Sequence, residues 1–123
     1  MHYIDVVSLS LGFLTSEGVI QRVVQRNTIT PTRKSRMITT TYTNQTSLQI
    51  PIYEGARPFP EFNKHLGMLV IEGLKEASKG EPRVEVVFDV DSNRLLIVRA
   101  REIGGNEREA EVRIENLAWG AQA

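Results

Sequence analysis

From Arg83 to Asp91 the chain alternates strictly, with Val84, Val86, Phe88 and Val90 on one parity and Glu85 and Asp89 on the other. A period of two places the apolar set on one face of a strand, whereas a helical period would scatter it around an axis. Asp91-Ser92-Asn93-Arg94 has the composition of a turn, and Leu95 to Arg101 returns with Leu96, Val98 and Ala100 on one side. After a second turn at Gly104-Gly105-Asn106, Ala110, Val112 and Ile114 alternate with Glu111, Arg113 and Glu115. These three runs predict an antiparallel meander with one apolar face and its charges turned outward.

Upstream, Leu9, Leu11 and Phe13 alternate with Ser8, Ser10 and Gly12, and the stretches Arg36 to Tyr42 and Ser47 to Tyr53 are rich in Thr, Ile and Tyr. Val19 to Arg26 also matches helical spacing through Ile20, Val23 and Val24, but Gly18 before it and Asn27 after it favour a strand between turns. Pro51 cannot donate to a ladder, so its strand is expected to be an edge or to carry a bulge there. Glu54 to Lys64 and Leu74 to Pro82 read as connecting loops. Many short strands separated by turn residues predict an all-β fold, an antiparallel two-layer β-sandwich.

A length of 123 residues fits a single domain, 1–123, able to bury a core of its own. Fifteen basic and fifteen acidic side chains cancel, so no net field draws in nucleic acid or an anionic membrane, and neither is expected as a partner. The densest basic group, Arg33-Lys34-Ser35-Arg36, reads as a solvated loop. The absence of cysteine suits a reducing compartment, and the expected location is the cytoplasm. The sequon Asn44-Gln45-Thr46 is better read as turn chemistry.

Catalysis finds little material. The only two histidines are His2 at a terminus and His65 near a loop end, and a catalytic or metal site needs convergent ligands or an activated nucleophile. Asp89-Val90-Asp91-Ser92-Asn93 begins like a calcium loop, but Arg94 stands where glycine is needed and Ala100 where a bidentate glutamate is needed. Asp89 and Asp91 read as solvated charges rather than paired acids, and Gly104-Gly105 lacks the helix and lysine of a phosphate loop. The expectation is a non-enzymatic domain with no cofactor and no metal.

Asp5-Val6-Val7-Ser8-Leu9-Ser10-Leu11-Gly12 and Arg26-Asn27-Thr28-Ile29-Thr30-Pro31-Thr32-Arg33-Lys34-Ser35 resemble the start of the substrate-binding domain of the DnaK-like 70-kDa heat-shock chaperones. Asn44-Gln45-Thr46, Ile52-Tyr53-Glu54-Gly55-Ala56-Arg57, Asn63 with Leu66-Gly67, and Val84 through Asp91 are similar to the same family, in the same order and at matching spacing. The resemblance implies a β-sandwich whose loops at one end form a cleft for a short extended peptide, with one pocket for an aliphatic side chain. Carried over residue by residue, the cleft comprises Phe13, Thr15, Ser16, Val19, Ile38, Thr39, Thr41, Gln45, Ser47, Leu48, Ile50 and Val84. Backbone hydrogen bonds would supply sequence-tolerant affinity and the pocket would supply selectivity. Periodicity alone reads Phe13, Ile38, Leu48, Ile50 and Val84 equally well as core.

The departures carry expectations too. Phe13 and Ile38 exchange a large and a medium side chain relative to the family pattern, which keeps total volume while reshaping the pocket. Ser16 and Thr41 stand where the family often places an apolar arch, which implies faster peptide release. Ser8, Glu17-Gly18, Lys75 to Gly80 and Arg94 replace the family's Pro, Gly-Gly, Pro-rich loop and turn Gly, changes that bear on coupling to an ATPase domain. Tyr3 and Ile4, within residues 1–4, read as a residual linker to such a domain, and residues 115–123 as the tail where a helical lid would begin, so the sandwich is expected without the lid. Unfolded or extended polypeptide segments are the expected partners, with an ATPase domain and lid in the full-length protein. The alternative is a sandwich that keeps the fold, has lost peptide binding and self-associates through the edge that Pro51 hints at.

Overall fold

The computed structural model describes residues 5–118; the expected linker residues Tyr3 and Ile4 and the tail beyond residue 118 lie outside the described residues. Eight strands run in chain order: β1 (Leu11–Leu14), β2 (Ile20–Val24), β3 (Thr32–Ile38), β4 (Ser47–Glu54), β5 (Lys64–Glu72), β6 (Arg83–Val90), β7 (Leu96–Ile103) and β8 (Glu109–Ile114), with a short 3-10 turn at Pro60–Phe62. They form two four-stranded antiparallel sheets, ordered β2-β1-β4-β5 and β3-β6-β7-β8. The chain is an all-β sandwich.

The alternation explains the second sheet. Val84, Val86, Phe88 and Val90 of β6 are buried, as are Leu96, Val98 and Ala100 of β7. They meet Leu11, Phe13, Ile50, Ile52, Leu69 and Ile71 of the first sheet in one continuous core. The Phe13 and Phe88 rings lie 6.3 Å apart at 40°, a tilted pair that joins the two layers. The outer face of the second sheet is a cross-strand lattice of charge: Arg33 with Asp89 at 2.9 Å, Arg99 with Asp89 at 3.6 Å and Glu111 at 2.9 Å, and Arg101 with Glu85 at 3.1 Å. Such exposed pairs contribute only about 0.2–1 kcal/mol each, and their main effect is to keep this face wet.

Several local expectations change. The basic group Arg33 to Arg36 is no loop: it lies within β3, whose register runs from Thr32 opposite Val90 to Ile38 opposite Val84. The strand expected over Arg36 to Tyr42 therefore begins and ends earlier, because pairing with β6 outweighs the β propensity of Thr39 to Tyr42. Alternation does not mark β5, since Leu66, Met68 and Val70 on one parity join Leu69 and Ile71 on the other and make the stretch apolar on both. Pro51 marks no outer strand of the sheet. By sheet order β4 lies between β1 and β5, so Pro51 stands on the stretch of β4 that β1 leaves uncovered, and a register shift falls at Ile52/Tyr53, next to the proline rather than at it. The ladder between β1 and β4 ends at Phe13 opposite Ile52, one pair short of Pro51. Glycine is required at position 12, where a side chain would collide with the backbone carbonyl of Gln21.

After β8 the chain packs rather than drifts. Leu117 is buried in the core, and Ala118 N–H donates 2.8 Å to a carboxylate oxygen of Glu54, itself only 3% exposed. Residues 115–118, the described part of the expected tail, form no helix and close the end of the sandwich remote from the β3–β4 loop. Replacing Phe88 by Ala should cost about 3–5 kcal/mol in urea unfolding, the range for a fully buried aromatic, while Arg99→Ala should cost less than about 1.5 kcal/mol. Equal losses would contradict this division between core and surface.

Candidate peptide groove

β1 is short and β4 is long. From Leu48 to Pro51 no strand of the described residues lies on the β1 side of β4, so the sheet opens there into a groove of about 480 Å³. Its floor is apolar: Phe13 at 2% exposed, Leu48 at 8% and Ile50 at 1%, with half-buried Ile38 beside them. Its walls are hydroxyl and amide groups from the β1–β2 turn and the β3–β4 loop, namely Thr15, Ser16, Thr39, Thr40, Thr41 and Gln45.

Local hydrogen bonds set each wall. In the β1–β2 turn the Thr15 N–H and hydroxyl both donate to the Val19 carbonyl, at 2.9 and 2.8 Å, and Gly18, at φ +84°, donates back to the Thr15 carbonyl at 3.0 Å. In the β3–β4 loop the buried Gln45 side chain is a clamp. Its oxygen accepts the Thr41 N–H at 2.7 Å, and its nitrogen donates to the Ser47 carbonyl at 2.8 Å. The β5–β6 loop braces this wall from outside: the Thr40 hydroxyl accepts the Gly80 N–H at 3.2 Å, Asn44 N–H donates to the Ala77 carbonyl at 2.8 Å, and the Thr39 hydroxyl donates to the Pro82 carbonyl.

Of the residues assigned to the cleft by resemblance, Phe13, Thr15, Ser16, Ile38, Thr39, Thr41, Gln45, Leu48 and Ile50 line this groove. Val19, Ser47 and Val84 do not. Val19 is partly exposed on the turn and contributes its carbonyl to the turn's closure, Ser47 offers its carbonyl to Gln45, and Val84 is fully buried opposite Ile38 in the β3–β6 ladder. Phe13 and Ile38 both reach the groove, but Phe13 spends its ring on Phe88 in the core, so the exchanged pair does not divide the pocket evenly. Gln21, Arg36 and Thr40 also line the groove and were missed. Arg36 was hidden in the basic group, while Thr40 sits on the opposite parity from Thr39 and Thr41 and turns inward to bond the neighbouring loop.

A larger depression of about 720 Å³ lies over the charged face of the second sheet, among Arg33, Glu85, Arg99, Arg101, Glu109 and Glu111. Arg33, Arg99, Arg101, Glu85 and Glu111 already engage in cross-strand ion pairs, which leaves little to recognise a ligand. Asp91 is used structurally: one carboxylate oxygen accepts the N–H groups of Asn93 and Leu95 at 2.8 and 2.9 Å and shapes the β6–β7 turn. No group of three or more His, Cys, Asp or Glu side chains gathers to hold a metal among the described residues.

Two four-stranded sheets with a groove where one strand stops short define an all-β sandwich with a strand edge left open at one end. The profile of the Hsp70 protein family matches residues 1–122, and the chain belongs to that family. It is similar to chaperone protein DnaK of Methanothermobacter thermautotrophicus, 41% identical over 107 residues that cover 87% of this chain and 18% of the relative. It is likewise similar to chaperone protein dnaK of Gracilaria tenuistipitata var. liui, 38% identical over 107 residues, 87% of this chain and 17% of the relative. The chain thus spans less than one fifth of the length of these relatives.

Gln45→Ala should lower stability by about 1–2 kcal/mol, since it leaves the Thr41 N–H and the Ser47 carbonyl without partners. Hydrogen exchange at the Thr41 amide should accelerate while exchange in β6 and β7 keeps pace with global stability. Unchanged exchange at Thr41 would contradict the role of the clamp.

Proposed function

We propose that this chain binds short, extended, apolar segments of unfolded polypeptides in the groove, as the non-catalytic substrate-binding part of a DnaK-like chaperone. One observation carries the reading: β4 continues from Pro51 to Leu48 past the end of β1, over an aliphatic floor and between two walls of hydroxyl and amide groups. An extended segment entering there meets strand backbone and loop donors and acceptors, a mode of recognition tolerant of sequence, while Leu48, Ile50 and Ile38 offer an apolar seat for one side chain. Membership of the Hsp70 family supports the reading. The nucleotide-driven step belongs, on this proposal, to an ATPase domain in the remaining length of the full protein, and the cytoplasm is its proposed location. Ser16 and Thr41 are both exposed polar side chains at the groove, so little apolar surface spans a bound segment and release should be fast.

Anisotropy of a labelled Leu-rich heptapeptide titrated with this chain should give saturable binding, absent for an all-charged control and weakened at least about tenfold by Leu48→Asp, with folding of the variant checked by thermal unfolding. Ser16→Met, an exposed change that leaves the core intact, should slow dissociation about severalfold by burying its side chain over the segment. A peptide that does not bind at high protein concentration, or binds Leu48→Asp equally well, would overturn the proposal.

A further inference from the structure

We infer that the groove prefers extended segments carrying an acidic side chain close to the apolar one, and that Arg36 is the residue that selects them; this rests on the peptide-binding reading above. Among the side chains lining the groove, Arg36 is the one that carries a formal charge. Everything else around it is hydroxyl, amide or apolar. Its placement follows from the register of β3: Arg36 stands opposite Val86 and Ile38 opposite Val84, so both project on the same side of the strand. Two strand residues span roughly 6.6–6.8 Å, so the backbone positions of Arg36 and Ile38 are one such step apart along the same groove wall. An extended segment repeats at the same spacing. An acidic side chain two or three positions from the anchored aliphatic one therefore comes within reach of Arg36.

The charge is also unneutralised. Arg33, Arg99 and Arg101 are each paired with a carboxylate on the outer face of the second sheet. Arg36 is exposed, donates 2.8 Å to the carbonyl of its neighbour Ser35, and has no carboxylate within ion-pair distance among the described residues. The loop that follows continues with the neutral Thr39 to Thr46, and Glu17 lies on the exposed β1–β2 turn outside the groove lining. With fifteen charges of each sign the chain has no net field, so the selectivity is local and confined to this end of the sandwich. An exposed guanidinium meeting a carboxylate shifts affinity by roughly two- to fivefold and is weakened by salt.

Three labelled heptapeptides with the same central leucines and Gln, Glu or Lys flanks test the inference by anisotropy, on the intact chain and on Arg36→Gln and Arg36→Glu. The Glu-flanked peptide should bind roughly fivefold more tightly than the Lys-flanked one at low salt. The ratio should approach unity in Arg36→Gln and invert in Arg36→Glu. If the Gln-flanked peptide binds saturably and the flanking charge has no effect, or the preference persists in Arg36→Gln, the inference is overturned while the peptide-binding reading stands. If the Gln-flanked peptide does not bind at all, both fall together.

Discussion

The apolar face of β6 closing on the apolar faces of β1 and β4 is the contact on which the molecule depends. Val84, Val86, Phe88 and Val90 are removed from water only because Leu11, Phe13, Ile50 and Ile52 are presented to them from the other layer. Burial on this scale fixes strand register, since a slip by one residue would turn the valines outward and bring Glu85 and Asp89 into the core. The groove is a consequence of that register. β1 supplies Leu11 and Phe13 to the core and then leaves the sheet, while β4 continues to Ser47, so strand edge and core floor are exposed together at one end. Open strand edges invite pairing with other chains. Here the edge is confined between two braced loops, which turns a general hazard into a bounded site.

The bracing distinguishes this site from a gap in packing. Gln45 ties the β3–β4 loop to the start of β4, and the β5–β6 loop holds that wall from behind through Thr40, Asn44 and Thr39. The β1–β2 turn and the β3–β4 loop present mainly hydroxyl and amide groups, so the groove offers hydrogen bonding at its rim and apolar burial chiefly at its floor. Recognition of backbone with one apolar anchor suits partners that share extended conformation more than sequence. Arg36 adds a local bias at the edge without altering that general character.

Strands β6 to β8 and most of β4 were readable because each has one wet face and one dry face, which writes a period of two into the residues. β5 was not, because its exposed Met68 and Val70 flank its buried Leu69 and Ile71 and erase the alternation. β3 is hidden in the sequence because an edge strand rich in Arg and Lys has the composition of a loop, and only its pairing with β6 defines it. Pro51 signals an edge that exists only locally, since it lies where β1 has ended on a strand that is internal by sheet order. The candidate site came largely from family resemblance, since Phe13, Leu48 and Ile50 have the periodicity of core residues and are nearly buried. Val84 shows the limit of that transfer, being core alone, and Arg36 shows the converse, since its role depends on a face that only the β3–β6 register defines.

The central claim is that an extended segment lies along β4 where β1 has ended. Titrating the 15N-labelled chain with an unlabelled Leu-rich heptapeptide, and following each backbone amide by NMR, tests it most directly. The account predicts saturable shifts concentrated at Thr15, Ser16, Thr39, Thr41, Leu48 and Ile50, with intermolecular contacts from the peptide leucines to the Leu48 and Ile50 methyls. Shifts centred instead on the charged face at Arg99 and Glu111, or along the edge of β8, would contradict it and move the functional surface to the other sheet.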